Sequence, residues 1–128
     1  MTGNPNNVLN KDSMKLKIII GTIAFTATLY NNPTVTAFKT RLPMTVNMRD
    51  LNANEKYFDM PDNLPANASN PGTIQSGDLM LYGSNTLVVF YRSFSTSYNY
   101  TPIGRIDDMA GLTSALGSGN VTVTFALQ

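Results

Sequence analysis

Alternating apolar and polar residues predict β-strands over most of the chain. In residues 23–30 (IAFTATLY), Phe25, Ala27 and Leu29 fall on one face and the threonines between them on the other, which is the period of a half-buried strand. Gly21-Thr22 precedes this segment, and glycine at the first central position of a two-residue turn favours a type II′ hairpin. The segments with this pattern are 15–20, 23–30, 44–49 and 121–127.

Two central segments, 78–82 and 86–92, are almost continuously apolar and flank the turn Gly83-Ser84-Asn85. The second contains the run LVVFY, and an apolar run of this kind is typical of a strand buried on both faces. Shorter strands are predicted at 56–59 and 103–106.

Two short helices are predicted where the period changes. Asn32 can cap the first, within the segment 31–42, and Pro33 suits its first helical position. Asp107 or Asp108 can cap the second. The apolar residues that share a helical face are Val35, Phe38 and Leu42 in the first helix and Met109, Leu112 and Leu116 in the second.

About eight strands with two short helices predict a mainly β protein, a closed eight-stranded barrel with two short capping helices. The chain has 128 residues, which fits one domain, and the barrel domain is expected at 14–128. Residues 1–13 are polar and are expected to be a flexible leader, a linker or added sequence. A secretion signal or lipid anchor upstream of Met14 could have been removed, so the sequence leaves the localisation open.

The composition narrows the chemistry. The sequence contains no Cys and no His, which excludes cysteine nucleophiles, thiolate metal sites and Ser-His-Asp catalysis, and neither a metal nor a cofactor is expected. The net charge is +1 with scattered cations, whereas nucleic-acid binding needs clustered ones. No apolar run approaches the length of a membrane span, so direct membrane insertion is not expected. A closed barrel pairs its own strand edges, which favours a monomer.

Aromatic residues cluster in and around a polar loop at 93–102. Tyr98 and Tyr100 lie two residues apart in this loop and cannot readily both be core residues. One interpretation is an aromatic groove for an extended peptide or a flat ligand. The other is ordinary core and rim packing, in which Phe90 is expected to be a core residue. The cluster comprises Tyr82, Phe90, Tyr91, Phe94, Tyr98 and Tyr100.

A second long loop is predicted at 60–77, and loops of this length in compact domains are usually functional or disordered. Glu55 precedes it in the motif Glu55-Lys56-Tyr57. This glutamate is interpreted either as a salt-bridge partner or as a hydrogen-bonding anchor for the loop.

Several segments in this order resemble the cyclophilin fold. A set of short motifs is similar to those of small bacterial cyclophilin-like domains, which are largely uncharacterised. These motifs are NPT…F…LP, EKY, LP…NPG, GDLMLYG, SFSTSY and IGRI. The segments that carry the resemblance are GTIAFTATLYNNPTVTAFKTRL (21–42), SGDLMLYGSNTLVVFY (76–91), TPIGRIDDMAGLTSAL (101–116) and VTVTFALQ (121–128).

The resemblance implies a scaffold that, in true cyclophilins, isomerises Xaa-Pro peptide bonds. The family's enzyme uses an arginine, an apolar proline pocket, a glutamine, a tryptophan and a histidine. The family's histidine falls near Tyr100, its tryptophan near Ser95, and its pocket Gln and Phe near Leu87 and Val89. Arg49 lies in the region of the catalytic arginine, but the FHR-like motif is absent, and Lys56-Tyr57-Phe58-Asp59, the nearest match to it, puts no cation at that position.

Three hypotheses follow from a similar scaffold with a replaced set of residues. The first is a module that binds a peptide or small molecule and lacks the usual prolyl-isomerase residues. The second is a divergent peptidyl-prolyl cis-trans isomerase, in which Arg49 supplies the cation and Tyr100 donates the hydrogen bond of the family's histidine. The third is an accessory module of a larger assembly. The candidate ligand contacts are Arg49 as an anchor, Glu55 and Gln75 as polar orienters, and Tyr57, Tyr82, Tyr98 and Tyr100 as aromatic walls.

Overall fold

Eight antiparallel strands close into a barrel in the computed structural model, which describes residues 12–128. Residues 1–11 of the expected leader lie outside the described range. The barrel strands are β1 (Lys15–Ile20), β2 (Ile23–Leu29), β3 (Met44–Leu51), β4 (Glu55–Asp59), β6 (Asp78–Tyr82), β7 (Thr86–Phe90), β9 (Thr101–Ile106) and β10 (Val121–Leu127). Around the barrel they follow the order β1-β10-β3-β4-β7-β6-β9-β2. The predicted mainly β, closed eight-stranded fold is confirmed.

The first hairpin has the predicted turn. Ile20 pairs with Ile23 across Gly21-Thr22, and Gly21 has a φ of 63° while Thr22 has a negative φ, as in a type II′ turn. The alternation in β2 is also as predicted, because Phe25, Ala27 and Leu29 are all buried in the barrel core.

Two short helices accompany the barrel, α1 (Pro33–Lys39) and α2 (Leu112–Leu116). The Asn32 side chain caps α1 by accepting a hydrogen bond of 2.8 Å from the backbone N–H of Val35, as predicted. Phe38 is buried and contacts Phe125 edge-on, with ring centroids 6.3 Å apart. This aromatic contact anchors α1 to the barrel core. No helix within residues 12–128 is long and apolar enough to cross a membrane.

The predicted capping of the second helix by an aspartate is wrong. Gly111 occupies the capping position with a φ of 82° and no side-chain cap. Asp107 instead accepts hydrogen bonds from Lys15 Nζ (2.9 Å) and Thr28 Oγ1 (2.6 Å), which hold the pKa of its carboxyl below the usual value. Asp108 accepts a hydrogen bond from the backbone of Ala110 in the preceding turn.

A second apolar cluster lies on the outer face of β6 and β7. Alternate residues of these strands belong to the barrel core or to this outer cluster, which confirms the predicted burial of both faces. A two-stranded ribbon, β5 (Thr73–Ile74) paired with β8 (Phe94–Ser95), contributes Ile74 and Phe94 to the cluster. The buried members of the cluster are Ile74, Met80, Val88, Phe90 and Tyr100.

Candidate functional site

A cavity of about 380 Å³ opens beside the outer cluster, on the outward side of β4 and β7. Val88 of β7 lines it from the sheet, and Tyr57 of β4 lines it from the neighbouring strand. Phe94 and Tyr98 border it from the segment that leads into β9. We call this space the tyrosine cavity, and its size falls in the range of small-molecule sites.

The aromatic walls of the tyrosine cavity run from the protein interior to solvent. Tyr100 packs edge-on against the buried Phe90, with ring centroids 5.5 Å apart. It also contacts Tyr82, whose ring is tilted and lies 5.7 Å away. Tyr82 in turn contacts Tyr98 at 6.2 Å. Tyr100 is buried whereas the side chain of Tyr98 is 62% exposed. The two tyrosines that could not readily both be core residues therefore divide into one core residue and one rim residue.

The polar end of the cavity carries a buried carboxyl group. Glu55 lines the cavity and is only 9% exposed, yet no hydrogen bond or ion pair to its side chain occurs within residues 12–128. Burial, reinforced by repulsion from Asp50, raises the pKa of Glu55 to about 7. Within these residues, Glu55 is therefore neither a salt-bridge partner nor an anchor for the loop that follows β4.

Asn54, which also lines the cavity, adds a second unpaired acceptor. Its side-chain Oδ1 is buried and has no hydrogen-bond partner in the described part of the chain. Buried polar atoms are nearly always paired, so a rotation of the Asn54 side chain that turns this oxygen toward the cavity would allow a bound molecule to donate to it. At another part of the lining, Asp59 is exposed and accepts a 2.7 Å hydrogen bond from Thr86.

Lys56 follows Glu55 directly but points into the opposite side of β4. Its side chain is 0% exposed, and its Nζ lies 3.1 Å from Asp50 Oδ1. The same nitrogen donates to the carbonyl oxygens of Gly117 (2.9 Å) and Gly119 (2.6 Å). Since successive strand residues face opposite sides, Lys56 cannot neutralise Glu55. Its charge is instead paired with Asp50 and with the two glycine carbonyl oxygens.

The Asp50 carboxylate is held by Tyr91 as well as by Lys56. The Tyr91 hydroxyl donates a 2.5 Å hydrogen bond to Asp50, and this bond is the main reason that the pKa of Asp50 is lowered. Burial and the same bond raise the pKa of Tyr91 to about 12. Asp50 therefore remains a fixed negative charge near Glu55, while Tyr91 remains neutral.

The structure brings five of the seven candidate residues together. Arg49 is exposed and lines a neighbouring groove of about 260 Å³, which it shares with Tyr57. Gln75 lies in a different depression, where it accepts a hydrogen bond from Arg105. The residues that line the tyrosine cavity are Glu55, Tyr57, Tyr82, Tyr98 and Tyr100.

The positions that the resemblance assigns to the family's pocket Gln and Phe do not line the tyrosine cavity. Leu87 and Val89 point into the barrel core, whereas Val88 between them lines the cavity. Asn54, Val88 and Phe94 line the cavity but were not among the candidate ligand contacts. Phe94 belongs to the aromatic cluster and could have been predicted from it. No pattern in the sequence indicates Asn54.

The sequence profile of the Cyclophilin-like family matches residues 18–126, a range that includes nearly the whole barrel and every residue of the tyrosine cavity. The chain belongs to the Cyclophilin-like family. The solution structure of a hypothetical protein from Archaeoglobus fulgidus is similar to this cyclophilin-like domain, with a TM-score of 0.62 and 18% sequence identity. The match covers 91% of this chain and 95% of that one, and at this identity it shows a common fold. No curated protein matches the chain.

Proposed function

We propose that this cyclophilin-like domain is a binding module that takes a small molecule or part of a peptide in the tyrosine cavity. The observation that carries the proposal is the combination of aromatic walls with unpaired polar atoms in one concave site of about 380 Å³. Cavities with mostly apolar walls and a few convergent polar groups are the usual form of ligand sites.

The side chains at the site support binding rather than nucleophilic or histidine-based catalysis. The cavity offers tyrosine rings, the amides of Asn52 and Asn54, the Thr86 hydroxyl and two carboxyl groups, and the sequence contains neither Cys nor His. Tyr98 and Tyr82 leave much of their aromatic surface exposed and converge on one opening. Exposed aromatic groups gathered around a concavity mark an interaction site more often than scattered ones do.

A fragment screen followed by amide NMR tests the proposal. We expect fragments to shift the amide signals of residues 54–59 and 98–100, and we expect Tyr98→Ala to weaken the best fragments by about fivefold, since an aromatic contact contributes about 1 kcal/mol. Tyr98 is 62% exposed, so its removal should leave the unfolding midpoint nearly unchanged. Tyr30→Ala is the matched control, because Tyr30 is exposed but borders a different depression. Equal losses from both variants would count against the assignment.

Divergent prolyl isomerase activity is the second candidate function, and one observation favours it. Arg49 is the direct cross-strand partner of Tyr57, and Tyr57 borders both the tyrosine cavity and the groove of Arg49. A peptide that crosses this tyrosine would bring a prolyl amide near the guanidinium while its side chains enter the cavity.

Exchange NMR on a short Xaa-Pro peptide tests the isomerase function. If the function is present, the protein should accelerate cis–trans exchange, whose uncatalysed time is tens of seconds or longer. Arg49→Ala should then reduce the acceleration by about tenfold or more, because a general electrostatic contact in a transition state contributes at least that much. Arg92→Ala removes another exposed arginine and should have no effect. Exchange that remains at the uncatalysed rate would refute the isomerase function and leave the binding proposal standing.

A further inference from the structure

We infer that the tyrosine cavity recognises an organic cation that carries N–H donors, of the kind found at the end of a lysine side chain or in a free alkylamine. This inference rests on the proposed binding function and specifies its ligand. It is carried by the two unpaired acceptors, Glu55 and Asn54 Oδ1, at the polar end of an aromatic cavity.

The buried carboxyl group is the first part of the argument. Glu55 is 9% exposed, and no side chain within residues 12–128 donates to it. A buried carboxylate without a partner is unfavourable, so a ligand that brings a positive charge gains more here than a neutral one. Lys56, its neighbour in sequence, is already bound to Asp50 and two carbonyl oxygens and cannot supply that charge.

The second acceptor limits the kind of cation. A primary ammonium group has three N–H donors and no acceptor, which matches a cavity lined by Glu55 and by Asn54, whose Oδ1 has no donor within residues 12–128. A quaternary ammonium ion has no N–H and would leave the Asn54 oxygen unpaired. The two acceptors therefore favour a cation that donates hydrogen bonds over one that does not.

The walls and the local charge agree with this ligand. Tyrosine rings attract a cation through their faces and also cover an aliphatic chain. The charged residues that line the cavity are Glu55 and Asp59, and no Lys or Arg lines it. Arg49 lies in the neighbouring groove, so no cation competes inside the cavity.

Binding of such a cation should depend on pH through Glu55. Asp50 and Asp59 are the other carboxylates near this group, and Asp50, whose pKa is lowered, remains ionised throughout the neutral range. Tyr91 and Tyr100 have raised pKa values and remain neutral there. The groups that face Glu55 or act on it are Asp50 on β3, Tyr57 and Asp59 on β4, Tyr82 on β6, Tyr91 and Arg92 after β7, and Tyr98 and Tyr100 before β9.

Titrations followed by amide NMR test the inference with matched probes. n-Butylammonium is compared with 1-butanol, which is neutral, and with tetramethylammonium, which has no N–H. We expect n-butylammonium to bind most tightly of the three. Its affinity should be at least about tenfold higher at about pH 8 than at about pH 5.5, where Glu55 is protonated. Acetyl-Gly-Lys-Gly-amide, compared with its norleucine analogue, shows whether a lysine side chain in a peptide binds better than the free amine.

Two isosteric variants complete the test. Glu55→Gln should weaken n-butylammonium binding by about tenfold or more and remove its pH dependence, since a buried hydrogen-bonded charge pair contributes at least that much. Asp62→Asn makes the same charge change at an exposed residue outside the tyrosine cavity and should alter the affinity by less than about threefold.

The outcomes separate the inference from the proposed function. The cation inference is wrong if the wild-type protein binds 1-butanol as tightly as n-butylammonium. It is also wrong if Glu55→Gln binds n-butylammonium as tightly as the wild-type protein does. In either case the cavity still binds ligands. Equal binding of tetramethylammonium would overturn the requirement for N–H donors. If neither these probes nor any fragment shifts the amides of the tyrosine cavity, the proposed function fails as well.

Discussion

Lys56→Met is expected to destabilise the domain by about 3 kcal/mol, because removing one partner of a buried ion pair leaves the other uncompensated. Lys56 is 0% exposed and its Nζ lies 3.1 Å from Asp50. The substitution would also leave the carbonyl oxygens of Gly117 and Gly119 without their donor. Urea denaturation of the variant and the wild-type protein, at neutral pH, measures the difference in the free energy of unfolding.

Lys15→Met is the control for this prediction. Lys15 also forms an ion pair, at 2.9 Å to Asp107, but both side chains are well exposed to solvent. Exposed pairs contribute at most about 1 kcal/mol, so the control should lose much less stability than Lys56→Met. If both variants lose the same small amount, the methionine side chain fills the site of Lys56 and the interior network is not a major source of stability.

Local signals in the sequence were sufficient for much of the fold. The type II′ turn depends on Gly21 alone, and the cap of α1 depends on Asn32 and its neighbours within one helical turn. The inward faces of β2 and β10 follow from the alternation of apolar and polar residues at 25–29 and 121–125. In each case the residues that determine the structure are close together in the chain.

The features that the sequence did not reveal depend on distant partners or on an ambiguous phase. Asp107 bonds Lys15 and Thr28 on strands far away in the chain, and these partners replace the expected helix cap. The run at Leu87–Phe90 is apolar on both faces, so alternation cannot say which residues point inward. A shift of one residue then exchanges the two faces. For this reason Val88, which lines the cavity, was not among the predicted contacts.

The same reasons account for the candidate site. Four of the five candidate residues that line one cavity are tyrosines, and three of them come from the aromatic-rich segment between residues 82 and 100. Arg49 was predicted because it lies in the region of the family's catalytic arginine, and Gln75 because it lies in the long loop. In the structure they line other depressions. The alternation of β4 places Lys56 on the face opposite to Glu55 and Tyr57, which both line the cavity. That face is the inward one.

The adjacency of Glu55 and Lys56 shows how the barrel creates its candidate site. Neighbouring opposite charges on a strand point to opposite faces, so these two side chains do not pair. The barrel interior binds the ammonium group of Lys56 with Asp50 and two carbonyl oxygens. The carboxyl group of Glu55 is left buried against the tyrosine cavity, at a cost in stability that changes with pH.

Glu55→Gln is expected to be more stable than the wild-type protein above about pH 7, by up to about 3 kcal/mol. In the folded protein the pKa of Glu55 is raised from 4.5 to about 7, and each unit corresponds to about 1.4 kcal/mol. Below the unfolded pKa both states are protonated, so no stability is lost. As the pH rises from 4.5 to about 7, the Glu55 carboxyl ionises in the unfolded state before it ionises in the folded state. The free energy of unfolding of the wild-type protein therefore falls. Glutamine does not titrate and escapes this loss.

Urea denaturation of both proteins at about pH 4.5, 6 and 8 measures this effect, and the advantage of Glu55→Gln should grow with each step. Asp59→Asn, an exposed carboxyl on the same face of β4, should show no comparable trend. Parallel pH profiles for wild type and Glu55→Gln would mean that water or a change in conformation relieves the buried carboxylate. A widening difference, together with weaker n-butylammonium binding, would mean that the residue opposes folding at neutral pH and favours the ligand, as expected of a binding group.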